Sequence, residues 1–366
     1  PAANPPRYGI DPYLDWVAKE GLNVAEDYGI DLFKVETKMW PRYGVKGAAV
    51  HLKGRGDFCN MFLIDVPPGG STAPQKHLYE DVYYVLEGHG STQLEFPDGS
   101  KRSFEWGPKA LFAIPLNAKH RHFNSSGRER ALLVTTTDLP VVLNIFHNEK
   151  FVFDTEFAFM ERAGKSAYYS GEGDLITVRP GNHMWETNFV PDLAAIELQS
   201  WGDRGAGGTN IMFVLADGTM HAHISEMPVG TYKKGHRHGA DFYVYTVHGT
   251  GYSLLWRQKG EEFMRIDWKH GVVFVPPDGV FHQHFNTSPT PARYLAVALG
   301  SLRYPFVESK RKLFGGGVDT SVEEGGNQIE YEAQDPRIHE IFLKELAKNG
   351  VESKMSKMID ETRYHN

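Results

Sequence analysis

The chain repeats itself. "FEWGPKALFAIPLNAKHRHFN" (Phe104 to Asn124) lies over "IDWKHGVVFVPPDGVFHQHFN" (Ile266 to Asn286), matching Trp106 with Trp268, Pro115 with Pro277, His120 with His282, His122 with His284 and Asn124 with Asn286. The shift from His120 to His282 is 162 residues. Upstream, "PPGGSTAPQKH" (Pro67 to His77) lies over "PVGTYKKGHRH" (Pro228 to His238), and Gly88 over Gly249, at a shift of 161 residues. Two motifs at similar separations, with one residue of length change, mark a duplicated domain. A length of 366 residues accommodates two copies of ordinary size with flanking segments.

Each copy reads as short strands cut by turns. "DVYYVLEG", "GSTQLEF", "ALFAIP" and "ALLVTTT" serve the first, and "FYVYTVHG", "GYSLLW", "VVFVPP" and "RYLAVALG" the second. With 38 Gly and 21 Pro supplying turns, β-rich and aromatic runs of this length predict an all-β sandwich or small barrel in each half. The division expected is an N-terminal arm (1–50), a first barrel (51–150), a connector without a repeat partner (151–205), a second barrel (206–305) and a C-terminal extension (306–366). The extension holds one helix, in "DPRIHEIFLKELAKNG". Asp335 can cap it, Pro336 suits its first turn, Ile338, Ile341, Phe342 and Leu346 form one apolar stripe, and Gly350 ends it.

Charge and cysteine content narrow the function. The net charge of −7 is spread along the chain and no basic cluster suggests nucleic acid. No apolar run is long enough for a membrane helix, and the start does not read as a targeting peptide. One cysteine, Cys59, fits a reducing compartment, so a cytoplasmic protein is expected.

The 17 histidines are bunched. In "GHRHGADFYVYTVHGTG" (Gly235 to Gly251), His236 and His238 are one residue apart and share a face of an extended chain. Two imidazoles aimed at one point suggest a metal, yet no glutamate follows them.

These motifs resemble those of the cupin superfamily, and the whole chain resembles a bicupin over about residues 55–140 and 215–300. The segments that carry the likeness are "GTYKKGHRHGADFYVYTVHG" with "GVVFVPPDGVFHQHFN", and "GSTAPQKHLYEDVYYVLEG" with "GPKALFAIPLNAKHRHFN". The resemblance implies two jelly-roll β-barrels and a metal held by the motif histidines. In the second half His236, His238 and His282 occupy all three histidine positions, while the glutamate position falls on Phe242 with Asp241 beside it. This is similar to the three-histidine dioxygenases of the gentisate 1,2-dioxygenase type. In the first half Gln75 stands where a histidine belongs, His77 and His120 remain, and Asp81 takes the glutamate position. A second metal there is the weaker expectation, as is any metal role for Gln75.

Three neutral imidazoles bind a divalent first-row ion and leave positions open for substrate and O2. Fe(II) is the ion the resemblance implies, and Zn, Ni, Mn and Cu suit the same donors. The function expected is therefore an Fe(II) dioxygenase that cleaves a ring or C–C bond of a chelating hydroxylated aromatic, gentisate- or salicylate-like, or of a diketone or enolate. The alternatives are a non-oxidative metal-dependent lyase, isomerase or decarboxylase, and a binding protein without catalysis. Secondary or substrate-contact roles are expected from His284, His221, His223, Asp241, Phe242, Tyr243 and Arg293. The expected partners are a small-molecule substrate, O2 and further copies of the chain, as homo-oligomers are usual for bicupins of this type.

Overall fold

The computed structural model describes residues 8–239, 241–305 and 319–364. Within them lie two β-barrels, each a large sheet facing a small one. The large sheet of the first barrel runs in the order Asn23–Asp27, Val45–Leu52, Asn60–Val66, Ala131–Thr137, Asp81–Glu87, Leu111–Ala113, Phe189–Val190, with Lys38–Trp40 at the side of Val45–Leu52. Its small sheet is Lys119–Asn124, Gly90–Glu95, Lys101–Trp106. The second barrel repeats the plan. Its large sheet runs Asp174–Arg179, Asn182–Thr187, Thr209–Leu215, Met220–Met227, Ala292–Leu299, Tyr243–His248, Val272–Phe274, Gly29–Asp31, with Gln199–Ser200 at the side. The facing sheet is Met264–Trp268, Gly251–Trp256, Phe281–Asn286, Gly235–His236, Gln328–Ile329. The protein is thus all-β with duplicated jelly-roll barrels and a short C-terminal helix, as expected.

The duplication holds at the level of register. Leu133 pairs with Ile64 and Tyr294 with Ser225; Thr135 pairs with Phe62 and Ala296 with His223; Thr135 also faces Tyr83 as Ala296 faces Val244. Every one of these pairs is related to its counterpart by the same 161-residue shift. The turns repeat too: Gly88 and Gly249, at φ of +89° and +81°, occupy the left-handed region that a side chain enters only at a cost.

The barrels exchange strands. Gly29–Asp31, from the N-terminal arm, pairs with Val272–Phe274 of the second barrel, and Phe189–Val190, from the connector, pairs with Leu111–Ala113 of the first. Just before each exchanged strand another runs parallel to its own barrel, Asn23–Asp27 on Val45–Leu52 and Asn182–Thr187 on Thr209–Leu215. The connector therefore does have a partner in the repeat, namely the arm. The expectation of none came from sequence drift: "VAEDYGI" and "MWETNFV" share one residue in register, Glu26 with Glu186, because backbone pairing specifies such edge strands more than side chains do. Exchange also leaves neither barrel with an open edge at these positions.

Each barrel encloses its own cluster of buried side chains, and a further apolar layer joins them. Leu63, Val134, Ile224, Tyr245 and Leu295 belong to that shared layer, where the two large sheets face each other. The C-terminal helix Pro336–Asn349 is capped by Asp335, whose side chain accepts from Arg337 N, and ends at Gly350 in the left-handed conformation. It lays Ile338, Phe342 and Leu346 against Tyr232, Tyr252 and Phe285 of the second barrel's small sheet. Ile341 is partly buried beside them. No helix among the described residues is long and apolar enough to cross a membrane.

Candidate metal centres

Strand pairing brings the two histidine motifs of the second barrel together. The two-residue strand Gly235–His236 runs antiparallel to Phe281–Asn286, with His236 directly opposite His282. Alternation then returns His238 to the same side. The ring centroids of His236 and His282 are 4.3 Å apart, those of His238 and His282 4.6 Å. One nitrogen of each of the three residues falls within 4.8 Å of the others. The opposite nitrogens are spoken for: Nδ1 of His236, His238 and His282 lies 3.3, 2.9 and 3.1 Å from the carbonyls of Lys234, Gly239 and Val280. Backbone carbonyls on Nδ1 orient each ring and leave Nε2 to point inward, the outer arrangement that metal-ligating histidines use. Burial depresses the pKa of His282 to about 4 and that of His236 well below the usual range, so both are neutral donors at ordinary pH. The donor set fits a divalent ion.

A second cluster forms in the first barrel from His77, Asp81 and His120, again with ligand atoms within 4.8 Å of one another. His77 Nδ1 contacts Tyr79 O at 2.9 Å and His120 Nδ1 contacts Ala118 O at 3.0 Å, leaving Nε2 of each turned inward. His77 Nε2 is 3.2 Å from Asp81 Oδ2, while His120 Nε2 is buried without a hydrogen-bond partner. Asp81 also accepts from Thr135 and Tyr83. Burial opposes its charge, but the hydrogen bond and charge of His77, with His120 and Thr135, outweigh burial and hold its pKa below the usual carboxylate value. Gln75 does not join. Its amide is turned away to donate to the carbonyls of Arg42 and Ala73.

The surroundings of the clusters differ. The second barrel has a cavity of about 70 Å³ of water-accessible space, lined by the three histidines together with His221, His223, His284, Phe242 and others. The equivalent space in the first barrel is filled by apolar side chains. Tyr83, Phe62 and Ile64 of its core correspond by register to Val244, His223 and Ser225 of the cavity wall. The inward positions of the second barrel are thus smaller and more polar than their counterparts in the first.

His284 is held by a relay that is also duplicated. Trp268 Nε1 donates to Ser253 Oγ at 3.0 Å, and Ser253 Oγ lies 2.8 Å from His284 Nδ1. Trp106, Thr92 and His122 repeat this at 2.9 and 2.8 Å. The indole can only donate, so the hydroxyl accepts from it and keeps its own hydrogen available to Nδ1. A hydroxyl that donates to Nδ1 gives His284 the Nε2–H tautomer, a donor toward the cavity. His221 Nε2 and His223 Nδ1 lie 2.9 Å apart, a linked imidazole pair on the opposite wall. Phe242 sits with its ring centroid 3.9 Å from that of His238, an aromatic plate where the first barrel has Asp81.

Three expected site residues lie elsewhere. Asp241 faces the first barrel and accepts from the backbone N–H groups of Gly56, Phe58 and Cys59, so it is no base beside the ion. Tyr243 donates to Cys59 O at 2.7 Å and belongs to the layer between barrels, as alternation from inward-facing Phe242 and Val244 requires. Arg293 is ion-paired with Glu226 at 2.5 Å and donates to the carbonyls of Leu193 and Ile196, because its neighbour Tyr294 takes the inward position.

The cavity also holds residues that the motifs did not point to: Trp201, Arg204, Met212, Ser225, Lys233 and Tyr294. Lys233 donates to Tyr294 Oη at 3.1 Å. Burial lowers the pKa of Lys233; burial would raise that of Tyr294, but the charges of Lys233 and Arg204 outweigh it and lower it instead. The usable signal was the repeat itself, since the 161-residue shift sets Lys233 against Thr72 and Tyr294 against Leu133, a change from uncharged to ionisable at inward positions.

No family model and no curated protein matches the sequence. Among solved structures, oxalate decarboxylase of Lactobacillus farciminis in complex with formate is similar over 75% of this chain and 86% of its own, at 12% identity and a TM-score of 0.49. A tryptophan-to-tyrosine variant of Bacillus subtilis oxalate decarboxylase is similar over 75% and 78%, at 12% identity and a TM-score of 0.48. Another structure of the Bacillus subtilis enzyme, studied for its Mn(II) centres, gives 13% identity and 0.47 over the same shares of the two chains. Similarity this remote carries neither metal, substrate nor reaction across to this chain.

Proposed function

We propose that the second barrel is a divalent-metal enzyme centre for a small anionic substrate, and that its reaction breaks a C–C bond without consuming O2. The observation that supports this most is the convergence of three imidazoles on a cavity whose charged lining, among the described residues, is cationic. Such a cavity favours an anion with two oxygens to present to the ion. The ion, when bound, supplies Lewis-acid polarisation of a substrate oxygen.

The chain's own groups do the rest. Non-oxidative cleavage next to a carbonyl releases a neutral fragment such as CO2 and leaves an electron pair on carbon, which a proton must then meet. Tyr294 with Lys233, and the His221–His223 pair, are proton-carrying groups on the cavity wall. His284 Nε2–H offers a hydrogen bond to negative charge developing on oxygen. Phe242, Trp201 and Met212 keep the remaining wall apolar and limit water.

An Fe(II) dioxygenase is the second reading, favoured by Phe242 in place of a carboxylate beside three histidines. Metal analysis of anaerobically purified protein, then turnover of 2-oxo acids, dicarboxylates, hydroxybenzoates and 1,3-diketones with and without O2, separates the two. Equal turnover under nitrogen is expected. Turnover that stops under nitrogen, with stoichiometric O2 uptake in air, overturns the first reading and supports the second.

A further inference from the structure

Lys233 is an unusual residue for the inside of a barrel. It is 4% exposed, and its described polar partner is the Tyr294 hydroxyl rather than a carboxylate. Burying an ammonium on a neutral partner is costly, and such charges persist where a counter-charge arrives. The first barrel has Thr72 at this position, and there the hydroxyl accepts from His122 N at 3.0 Å, so the fold itself does not demand a cation. Arg204 lines the same cavity. Its Nε is 3.9 Å from Asp319, but that carboxylate is already engaged at 2.9 Å by Arg179, and Arg204 otherwise donates to Gln328 at 3.3 Å and stacks over Trp201. Among the described lining residues no carboxylate is present to balance the two cations.

Resting on the metal-centre reading above, we infer that the substrate is a dianion, a small dicarboxylate with one end at the three imidazoles and a second carboxylate seated on Lys233 and Arg204. His284 in its Nε2–H tautomer adds a third donor: its ring centroid lies 5.4 Å from that of His282 and 4.9 Å from that of Tyr294, between the ion-binding end and the cationic end. A substrate with a single carboxylate would leave one end of this arrangement unmatched.

The test is calorimetric titration of the full chain loaded with Zn(II), using malonate against acetate, with methyl phosphate as the other source of two negative charges. Malonate is expected to bind roughly tenfold or more tighter than acetate, and tighter than methyl phosphate. Lys233→Met and Arg204→Gln should each remove most of that advantage while acetate affinity and bound zinc stay at the parent level. Retained zinc also reports that the variants fold. Equal affinities for malonate and acetate, or an advantage that survives both substitutions, overturns the inference; preference for methyl phosphate replaces the second carboxylate with a phosphate and overturns it as stated. The same titration on metal-free protein separates the two readings. Weak acetate binding that is lost in Lys233→Met supports the cationic seat even if zinc fails to bind, an outcome that would sink only the metal-centre reading.

Discussion

Glu80 and Asp241 stand 161 residues apart at the same place in the two halves, and each carboxylate reaches into the other half. Glu80 Oε2 accepts from Thr219 N and Met220 N at 2.7 and 3.0 Å, and Asp241 Oδ2 accepts from Phe58 N and Cys59 N at 3.1 and 3.4 Å. The donors correspond as well, Phe58 to Thr219 and Cys59 to Met220, by the same shift. Together with the exchanged strands, these reciprocal contacts make the barrels one unit with internal two-fold character. The site residues are held from both sides of that joint, since Asp81 and Phe242 directly follow the two carboxylates.

Burial raises Asp241 to a pKa of about 6, against the opposing pull of its three backbone N–H bonds and Arg55. A folded-state value above the ordinary 3.8 means that the folded chain keeps this proton after the unfolded chain has lost it. The stability it contributes is complete below 3.8 and is lost as pH rises to about 6. The difference is of the order of 3 kcal/mol. Asp241→Asn, which cannot ionise, should show a flatter fall of urea-unfolding stability between pH 4 and 6 than the parent. Parallel curves for the two proteins would remove Asp241 as the source.

Metal content divides the two clusters. His238→Ala should empty the second barrel and abolish turnover, while His77→Ala should leave the second barrel's ion and most of the turnover intact. Inductively coupled plasma mass spectrometry on both variants reads this directly. Loss of activity in His77→Ala with the second ion still bound would move the chemistry to the first barrel.

The Trp–hydroxyl–His relays are alike in geometry but not in setting, so removing the hydroxyl should have unlike effects. Ser253→Ala frees His284 Nδ1 and lets the ring take the other tautomer, which turns a cavity donor into an acceptor. Turnover or dicarboxylate binding should fall roughly tenfold, alongside a loss of about 1–3 kcal/mol for the unsatisfied indole and imidazole. Thr92→Ala should cost similar stability and leave function unchanged, since its His122 faces packed side chains. Similar functional loss in both variants would refute the assignment.

Much of this was legible beforehand because the repeat and the histidine spacing both depend on strand geometry. Alternation alone placed His236 and His238 on one side, and the duplicated motifs located His282. The same alternation, applied one residue at a time, would have excluded Tyr243 and Arg293. It was the starting face of each strand that the sequence left open. Asp241 misled for a different reason: it precedes the strand at φ +63°, where alternation does not hold, and it is turned toward the other barrel. Arg204 lies outside both motifs, and Lys233 sits within the first-motif segment at a position to which the motif gives no role. Nothing local distinguishes a lysine in "TYKKGH" that is buried from one that is solvated.

The bulkier lining of the first barrel suggests the most direct way to close the cavity of the second. Val244 occupies the position of Tyr83, whose ring stacks on Phe112 at 5.0 Å and helps fill the interior. Val244→Phe puts a ring into the cavity without the phenol that Tyr83 places on Asp81, a partner the second barrel lacks. The added volume enters existing space, so the overpacking penalty should stay at the low end of about 1–3 kcal/mol. The three imidazoles, fixed by backbone carbonyls rather than by the cavity wall, should bind their ion as before. Malonate binding and turnover should both be lost while zinc stoichiometry is unchanged. A Val244→Phe protein that keeps its zinc and still binds malonate within twofold of the parent would mean that the ligand approaches the ion from somewhere other than this cavity.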